Sequence, residues 1–533
     1  MTPVELAPDA LSLRDVVAVA RHDARVTISA AVLDRVRGTR QHIDRLAGAE
    51  RPVYGVSTGF GALAQRHVLG ALRTRLQASL VRSHAAGMGR PVEREVVRAL
   101  MLLRARTMAT GRTGVRPEVL AGYVAVLNAG ITPVAREYGS LGCSGDLAPL
   151  AACALVLMGE GEVLGEGGRA VPAAGALAAA GIAPVSLEEK EGLALVNGTD
   201  GMLGMLVLAL DDLENLLTVA DLSAAASVEA LLGTDQAFRP ELLWALRPHE
   251  GQTTSGANMF AALRGSAIVA SHRDSGHLVQ DAYSLRCAPQ VTGAARDTVA
   301  FAEQVARREL RAAIDNPVVL DDGSVSSNGN FHGAPLAYAL DFLAIVVADV
   351  ASIAERRTDR LMDVARNQGL PPFLADDPGV DSGLMIAHYT QAAMVTENKR
   401  LAVPASVDSI PSSAMQEDHA SMGWHAGRKL RTALDNLAAV LAVELYAATR
   451  ALELRGAAPA PVTGALLRLV RGRVPGPGPD RFLSPELAEV VELVTSGAVV
   501  ATAAGITDLG HTLAGWAPRH RPDRERDGEV GRD

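Results

Sequence analysis

The sequence predicts a mainly α protein: a central bundle of long helices with a small mixed N-terminal part. Three observations carry this. Apolar residues make up 48 % of the 533 positions but aromatics only 3 %, and alanine and leucine dominate, a composition that favours helices over sheets. Between 421 and 454, Leu430, Leu434, Leu437, Leu441, Leu445 and Leu452 recur at three-, four- and seven-residue steps, one face of a helix. At ~1.5 Å per residue that helix runs roughly 50 Å, a length that packs side by side in a bundle. Finally, the polar clusters are few, and each stands just before a long helical stretch.

Taken in order, Val26-Thr27-Ile28 reads as a short strand, and Ser29 caps a helix over 30–37. Residues 76–86 are helical and carry His84, and a second helix runs over 93–109. Pro117 opens another that Gly130 stops. Asp146 and Pro149 mark the start of a helix over 147–158, and turn signals over 161–171 suggest a hairpin. Long helices are expected over 202–232, 292–314, 335–360, 382–401 and 421–454. Pro475-Gly476-Pro477-Gly478-Pro479 is a linker before a last helical segment over 484–513. The expected organisation is an active-site part at 1–200, a central bundle at 201–455, a C-terminal helical layer at 456–518 and a charged, disordered tail at 519–533.

A net charge of −9 with no Lys/Arg stripe argues against nucleic acid. The most apolar segments, such as 343–353 with its Asp349, read as too short to span a bilayer. The N-terminus lacks the basic start and apolar core of a signal peptide. Cys143, Cys153 and Cys287 form no CxxC pair, so neither a disulfide framework nor a zinc site is indicated, and a reduced, cytoplasmic setting fits.

The stretch Gly139-Ser140-Leu141-Gly142-Cys143-Ser144-Gly145-Asp146 places three glycines within seven residues. Taken alone it reads first as a bent loop capping a helix. It also permits unusual chemistry. The Gly145 amide nitrogen can attack the Cys143 carbonyl carbon if the backbone bends hard enough, and glycine crowds that nitrogen least. The Ser144 hydroxyl can then leave as water. The product is a five-membered ring with an exocyclic methylene, an electrophile that no unmodified side chain provides. Position 143 lends only its carbonyl, so its thiol reads as a bystander.

Three polar islands precede long helices: 280–287, 327–333 and 409–419. Helix N-termini present free N–H groups and favour developing negative charge. The side chains suit a small amino acid. Arg286 can clamp a carboxylate, Tyr54 and Tyr283 can act as bases, Gln280 and Asn197 can bind an amine or oxyanion, and His84 with Glu417 can hold a polar ring. Singly, each reads more readily as a surface ion pair, a buried tyrosine or a helix histidine. His332 and His419 lack the spacing of a metal motif.

With those islands assembled, the chain resembles the aromatic amino-acid ammonia-lyases. The matching segments are YGVSTGFG, SHAAGMG, GSLGCSGDLAPLA, EGLALVNGT, VQDAYSLRCAPQV, DNPVV, NGNFHGAP, LPPFL, SGLMIA and ENKRLAVPASVDSIPSSAMQEDHASMG, within 54–455. The resemblance implies an ammonia-lyase/fumarase-like fold and a homotetramer with shared active sites. It also implies that Cys143-Ser144-Gly145 cyclises to 4-methylidene-imidazol-5-one, with no metal or diffusible cofactor.

Position by position, it makes Tyr283 the base for the β-proton and Tyr54 a loop tyrosine that closes over substrate. Arg286 becomes the carboxylate anchor, Asn197 and Gln280 line the ring and substrate, and Phe331 packs near the ring. His84 and Glu417 fall where the family selects its side chain, here in the histidine-using pattern, which implies urocanate and ammonia as products. A tyrosine or phenylalanine lyase, or an aminomutase, is the alternative. Cys143 replaces the commoner Ala, Ser57 stands where Asn is frequent, and Asp200 where Gln is frequent.

Overall fold

The computed structural model describes residues 2–7, 11–48, 55, 56, 58 and 68–516. The expectations for Tyr54, Ser57 and the tail at 519–533 lie outside these residues. The chain divides into two compact units, Met1–Ala209 with Ala302–Asp341 and Pro404–Lys429, and Leu210–Phe301 with Phe342–Val403 and Leu430–Asp533.

The first unit opens with the expected strand Val26–Ile28, paired in parallel with Val4–Leu6. Ser12 and Asp15 form a reciprocal capping box at the start of the helix Leu13–His22. Ser29 caps Ala30–Ala47, a helix longer than expected. The helix Arg94–Ala109 packs between Leu13–His22 and Pro117–Asn128 and is buried on every side from Val96 onward.

That burial includes three arginines, and each forks onto main-chain carbonyls. Arg98 donates to Val19 and Leu127, Arg104 to Asn197 and Ile314, and Arg106 to Ala312 and Arg311. Each guanidinium thus binds carbonyls at helix ends and loops. Leu147–Leu157 packs on Arg73–His84 and on Glu191–Val196. The expected hairpin pairs Glu162–Leu164 with Ala170–Pro172.

Four long helices follow the expected pattern: Asp200–Ala230, Ala288–Glu309, Ala334–Met362 and Gly423–Arg455. The leucines of the last, from Leu430 to Leu452, are all buried, as their spacing requires. Ala334–Met362 corrects one expectation. With 29 residues it is long and apolar enough to cross a bilayer, whereas the sequence reading treated its apolar core as too short. Most of it is buried within the protein. It also carries buried charges that are matched: Asp341 pairs with Lys429, and Arg357 meets Glu444 at 2.5 Å. Ser223 and Ser227 complete the Glu444 carboxylate, so this buried pair is fully hydrogen-bonded.

The last helical segment is two helices, Ser484–Thr495 and Ala498–Ala504. Gly497 between them adopts φ +83°, a left-handed angle that stops the first helix.

Candidate active site

Gly139, Gly142 and Gly145 all adopt positive φ, at 149°, 65° and 77°, so the loop 139–146 is bent as its glycines predict. Its grip comes from three later parts of the first unit. Gly145 pairs with Gly198, and the Asp146 amide donates to the Gly198 carbonyl at 2.7 Å. Gly333 N donates to the Gly142 carbonyl at 3.2 Å, and Met422 N to that of Leu141 at 2.8 Å. Ser421 Oγ adds a bond to the Gly142 carbonyl at 2.7 Å. Residues 198, 333 and 421–422 each lie just ahead of a long helix. Three helix N-termini therefore converge on the loop. Two of them follow the islands 327–333 and 409–419, whereas the third, that of Asp200–Ala230, followed no island.

Asp146 does something the sequence reading missed. It sits at the start of Leu147–Leu157, yet its side chain makes no cap there. Oδ2 instead accepts from Gly201 N and Met202 N, both at 2.9 Å, and so caps Asp200–Ala230. Oδ1 accepts from Ser140 Oγ at 2.9 Å. Burial still dominates and pushes the Asp146 carboxyl up to about 7, against those donors.

The Ser144 hydroxyl donates to Glu417 Oε1 at 3.0 Å. Cys143 Sγ donates to Glu417 Oε2 at 3.3 Å, and Ser412 Oγ to the same oxygen at 3.1 Å. Burial and the Glu417 charge hold the thiol protonated, its pKa raised to about 11. Glu417 is delivered by a tight turn in which Ser412 and Glu417 pair backbone to backbone. Between them Ser413, Ala414 and Met415 have φ of 52°, 53° and 68°. Left-handed angles at three successive non-glycine residues cost roughly 1–2 kcal/mol each, and such strain clusters at functional sites.

His84 ends the helix Arg73–His84, with Nδ1 against the Leu80 carbonyl at 2.9 Å. Burial lowers its pKa, while the Leu80 bond and the Glu417 charge oppose that. The ring is thus a neutral imidazole whose proton sits on Nδ1, which leaves Nε2 as an acceptor. Asn197 Nδ2 donates to the Asn316 carbonyl at 2.9 Å, and its Oδ1 is buried without a partner among the described residues. A buried orphan acceptor of this kind suits a ligand donor. Phe331 is half-buried in the turn ahead of Ala334–Met362, the turn tied to the loop through Gly333.

Behind Asn197 lies a buried charge cluster in which Lys190 and Arg104 carried no motif. Lys190 Nζ meets Asp315 Oδ2 at 2.5 Å. Arg104 lies 3.5 Å from Asp200, which gives Asp200, the residue in place of the frequent Gln, a structural partner. His332 and His419 also meet, Nε2 to Nδ1 at 3.3 Å. Among the described residues no three metal-ligating side chains cluster.

Gln280, Tyr283 and Arg286 belong to the second unit. Tyr283 opens the short helix Tyr283–Arg286 and is 72 % exposed. The Arg286 guanidinium carbon stands 4.7 Å from the Tyr283 ring centroid, a cation over a phenol face. Arg286 Nε is buried without a partner among the described residues. Gln280 is exposed. The buried Asp281 between them accepts from Thr234 N at 2.8 Å and anchors the segment.

Residues 11–472 match the aromatic amino acid lyase family. The chain belongs to that family. This lyase is 64 % identical over 511 residues to the histidine ammonia-lyase of Streptomyces griseus, covering 95 % of this chain and 99 % of that one. Among solved structures, the tyrosine aminomutase of Streptomyces globisporus superposes with a TM-score of 0.90 at 37 % identity, covering 96 % of this chain and 100 % of the other. The histidine ammonia-lyase of Trypanosoma cruzi gives 0.87 at 35 % identity, covering 95 % and 96 %. The mainly α fold of the family is thereby established for this lyase, as its sequence predicted.

The first unit thus brings together Cys143, Ser144, Gly145, Asn197, His84 and Glu417. The loop sits where the predicted prosthetic ring would form. Gly145 fits that chemistry, since a Cβ there would run into the Gly198 backbone and no other residue type would be accommodated. The sequence reading missed Ser412, the side chain of Cys143 and the outward cap of Asp146. Ser412 lies inside the third polar island, five residues before Glu417, and that proximity was the available signal.

Proposed function

We propose that this lyase deaminates L-histidine to trans-urocanate and ammonia. The observation that carries the reading is the Glu417 carboxylate, which meets the Ser144 hydroxyl at 3.0 Å and acts electrostatically on His84. The Glu417 carboxylate can accept the N–H of a neutral imidazole ring. The similarity to the S. griseus histidine ammonia-lyase agrees.

The prosthetic ring would be built from Cys143, Ser144 and Gly145. Two waters are lost. One takes the Cys143 carbonyl oxygen with the Ser144 and Gly145 amide hydrogens, and the other takes the Ser144 hydroxyl with its Cα hydrogen. The ring supplies the electrophile that turns the substrate amine into a leaving group. Tyr283 accepts the β-proton through its phenolic oxygen. Arg286 holds the substrate carboxylate through paired N–H donors. The helix ends around the loop favour negative charge nearby. Asn197 Oδ1 and Gln280 bind the amine, Phe331 packs beside the ring, and Tyr54 closes over the substrate.

The enzyme works in the cytoplasm as a homotetramer with shared active sites. Unpaired Cys143, Cys153 and Cys287 support a reducing compartment. Apolar side chains exposed on the second unit, Phe301, Phe342, Ile345, Ile386 and Tyr389, support burial between subunits. The S. globisporus likeness keeps a tyrosine-using aminomutase as the second reading. Assaying purified protein with histidine, tyrosine and phenylalanine in parallel separates them: urocanate from histidine alone supports the proposal, and a cinnamate or β-amino acid without urocanate overturns it.

A further inference from the structure

Among the described residues, the Glu417 carboxylate has three side-chain donors, unequally shared. Cys143 Sγ and Ser412 Oγ both bond Oε2, at 3.3 and 3.1 Å. Among the described residues, Ser144 Oγ alone bonds Oε1, at 3.0 Å. The two oxygens have different futures. Ring closure consumes the Cys143 carbonyl carbon but leaves its Cβ and thiol outside the ring. Ser412 is not touched. The Ser144 hydroxyl leaves as water. Dehydration therefore strips the donor from Oε1 and spares both donors on Oε2.

We propose that Cys143 and Ser412 are positioning residues for substrate selection. They pin Glu417 through Oε2, so that Oε1, vacated by the Ser144 hydroxyl during maturation, faces the N–H of the substrate ring. This inference rests on the histidine reading. It gives the Cys143 side chain a role the sequence reading denied it. The residue acts through Glu417 and contacts no reacting atom. The thiol remains a hydrogen-bond donor because burial keeps it protonated, and a carboxylate held by two donors does not swing away from its ligand.

The test uses the full chain and two readouts. Intact mass is recorded for wild type, C143A, C143S, S412A and C143A/S412A, since cyclisation needs only the carbonyl of residue 143. All five are expected to carry the two-water deficit. KM for histidine is expected to rise about threefold to tenfold in C143A and about tenfold to a hundredfold in the double variant, with kcat changed less, and C143S is expected to restore most of the loss. The second readout needs no turnover. S144A cannot form the ring and lacks the Ser144 donor on Oε1 from the outset. Titration calorimetry should show it binding histidine, and C143A/S144A should bind about threefold to tenfold more weakly.

A mature C143A/S412A with wild-type KM, or equal histidine affinity in S144A and C143A/S144A, overturns the proposal. So does loss of the mass deficit in C143A, which would place the thiol in cyclisation instead. If wild type makes no urocanate, the histidine reading itself fails and this inference falls with it.

Discussion

Asp146 Oδ2 accepts the Met202 amide proton at 2.9 Å, so the residue that precedes one helix caps another that begins more than fifty residues later. The carboxyl does this while wholly buried, and burial raises it from 3.8 to about 7. Below 3.8 it is protonated in both the folded and the unfolded chain. Between 3.8 and about 7 the unfolded chain ionises while the fold keeps the acid neutral, so its contribution to stability is lost as pH rises through that window. Asp146→Asn removes this dependence. The stability of wild type relative to the variant should fall by a few kcal/mol from pH 4.5 to 7.5 and then level off. Denaturant midpoints across that range check it.

Lys190 and Asp315 form an ion pair with neither side chain exposed. Lys190→Met leaves a buried carboxylate alone and should cost about 3–5 kcal/mol. Adding Asp315→Leu should recover much of that. A double-mutant cycle by chemical denaturation measures the coupling, and additive single effects would contradict it.

Ser144→Ala should abolish turnover and restore at least one of the two missing waters in the intact mass. Gly145→Ala should do the same for a different reason. Its Cβ would meet the Gly198 backbone at a φ of +77°, which L side chains rarely adopt. A Gly145→Ala protein with the full mass deficit would show that this crowding is not what matters.

Glu417→Gln keeps the shape of the side chain and loses the charge that accepts from three donors. The kcat/KM for histidine should drop about a hundredfold, since charged hydrogen bonds are worth about 1.5–3 kcal/mol. Glu417→Ala should lose more. Unchanged histidine turnover in the alanine variant would remove Glu417 from ring recognition.

Arg286→Lys keeps a cation and loses the planar fork that stacks over Tyr283. KM should rise by about tenfold or more, and Arg286→Ala should raise it further. Steady-state kinetics with histidine, and inhibition by an analogue lacking the carboxylate, measure this. An analogue that binds equally to wild type and variant is the expected control.

Much of the architecture was legible because it follows one-dimensional rules. The leucine spacing over 430–452 needs only the helical repeat, and the buried leucines of Gly423–Arg455 obey it. The strand Val26–Ile28 and the cap at Ser29 are equally local. What stayed hidden is cross-chain. Asp146 carries every mark of an N-cap for its own helix, and only the fold brings Gly201 N and Met202 N to it. Arg104 and Lys190 lie in helical and apolar surroundings with no motif, and their partners are remote in sequence. The break at Gly497 was masked by apolar periodicity on either side. The Cys143 thiol reads as a bystander because ring chemistry asks nothing of a side chain at that position, and its bond to Glu417, 274 residues later, emerges only in the fold.

Gly145 is pressed against Gly198 by a segment synthesised after it, and its loop is fastened by Gly333 and Met422 later still. A nascent or collapsed chain lacks those fastenings, so under the proposed ring chemistry the two-water deficit becomes a dated stamp of native assembly. In any expression batch, the share of molecules at full sequence mass should count those that never reached the native state. A mass spectrum could then monitor folding yield for every variant described above that keeps Ser144 and Gly145, without substrate, dye or denaturant.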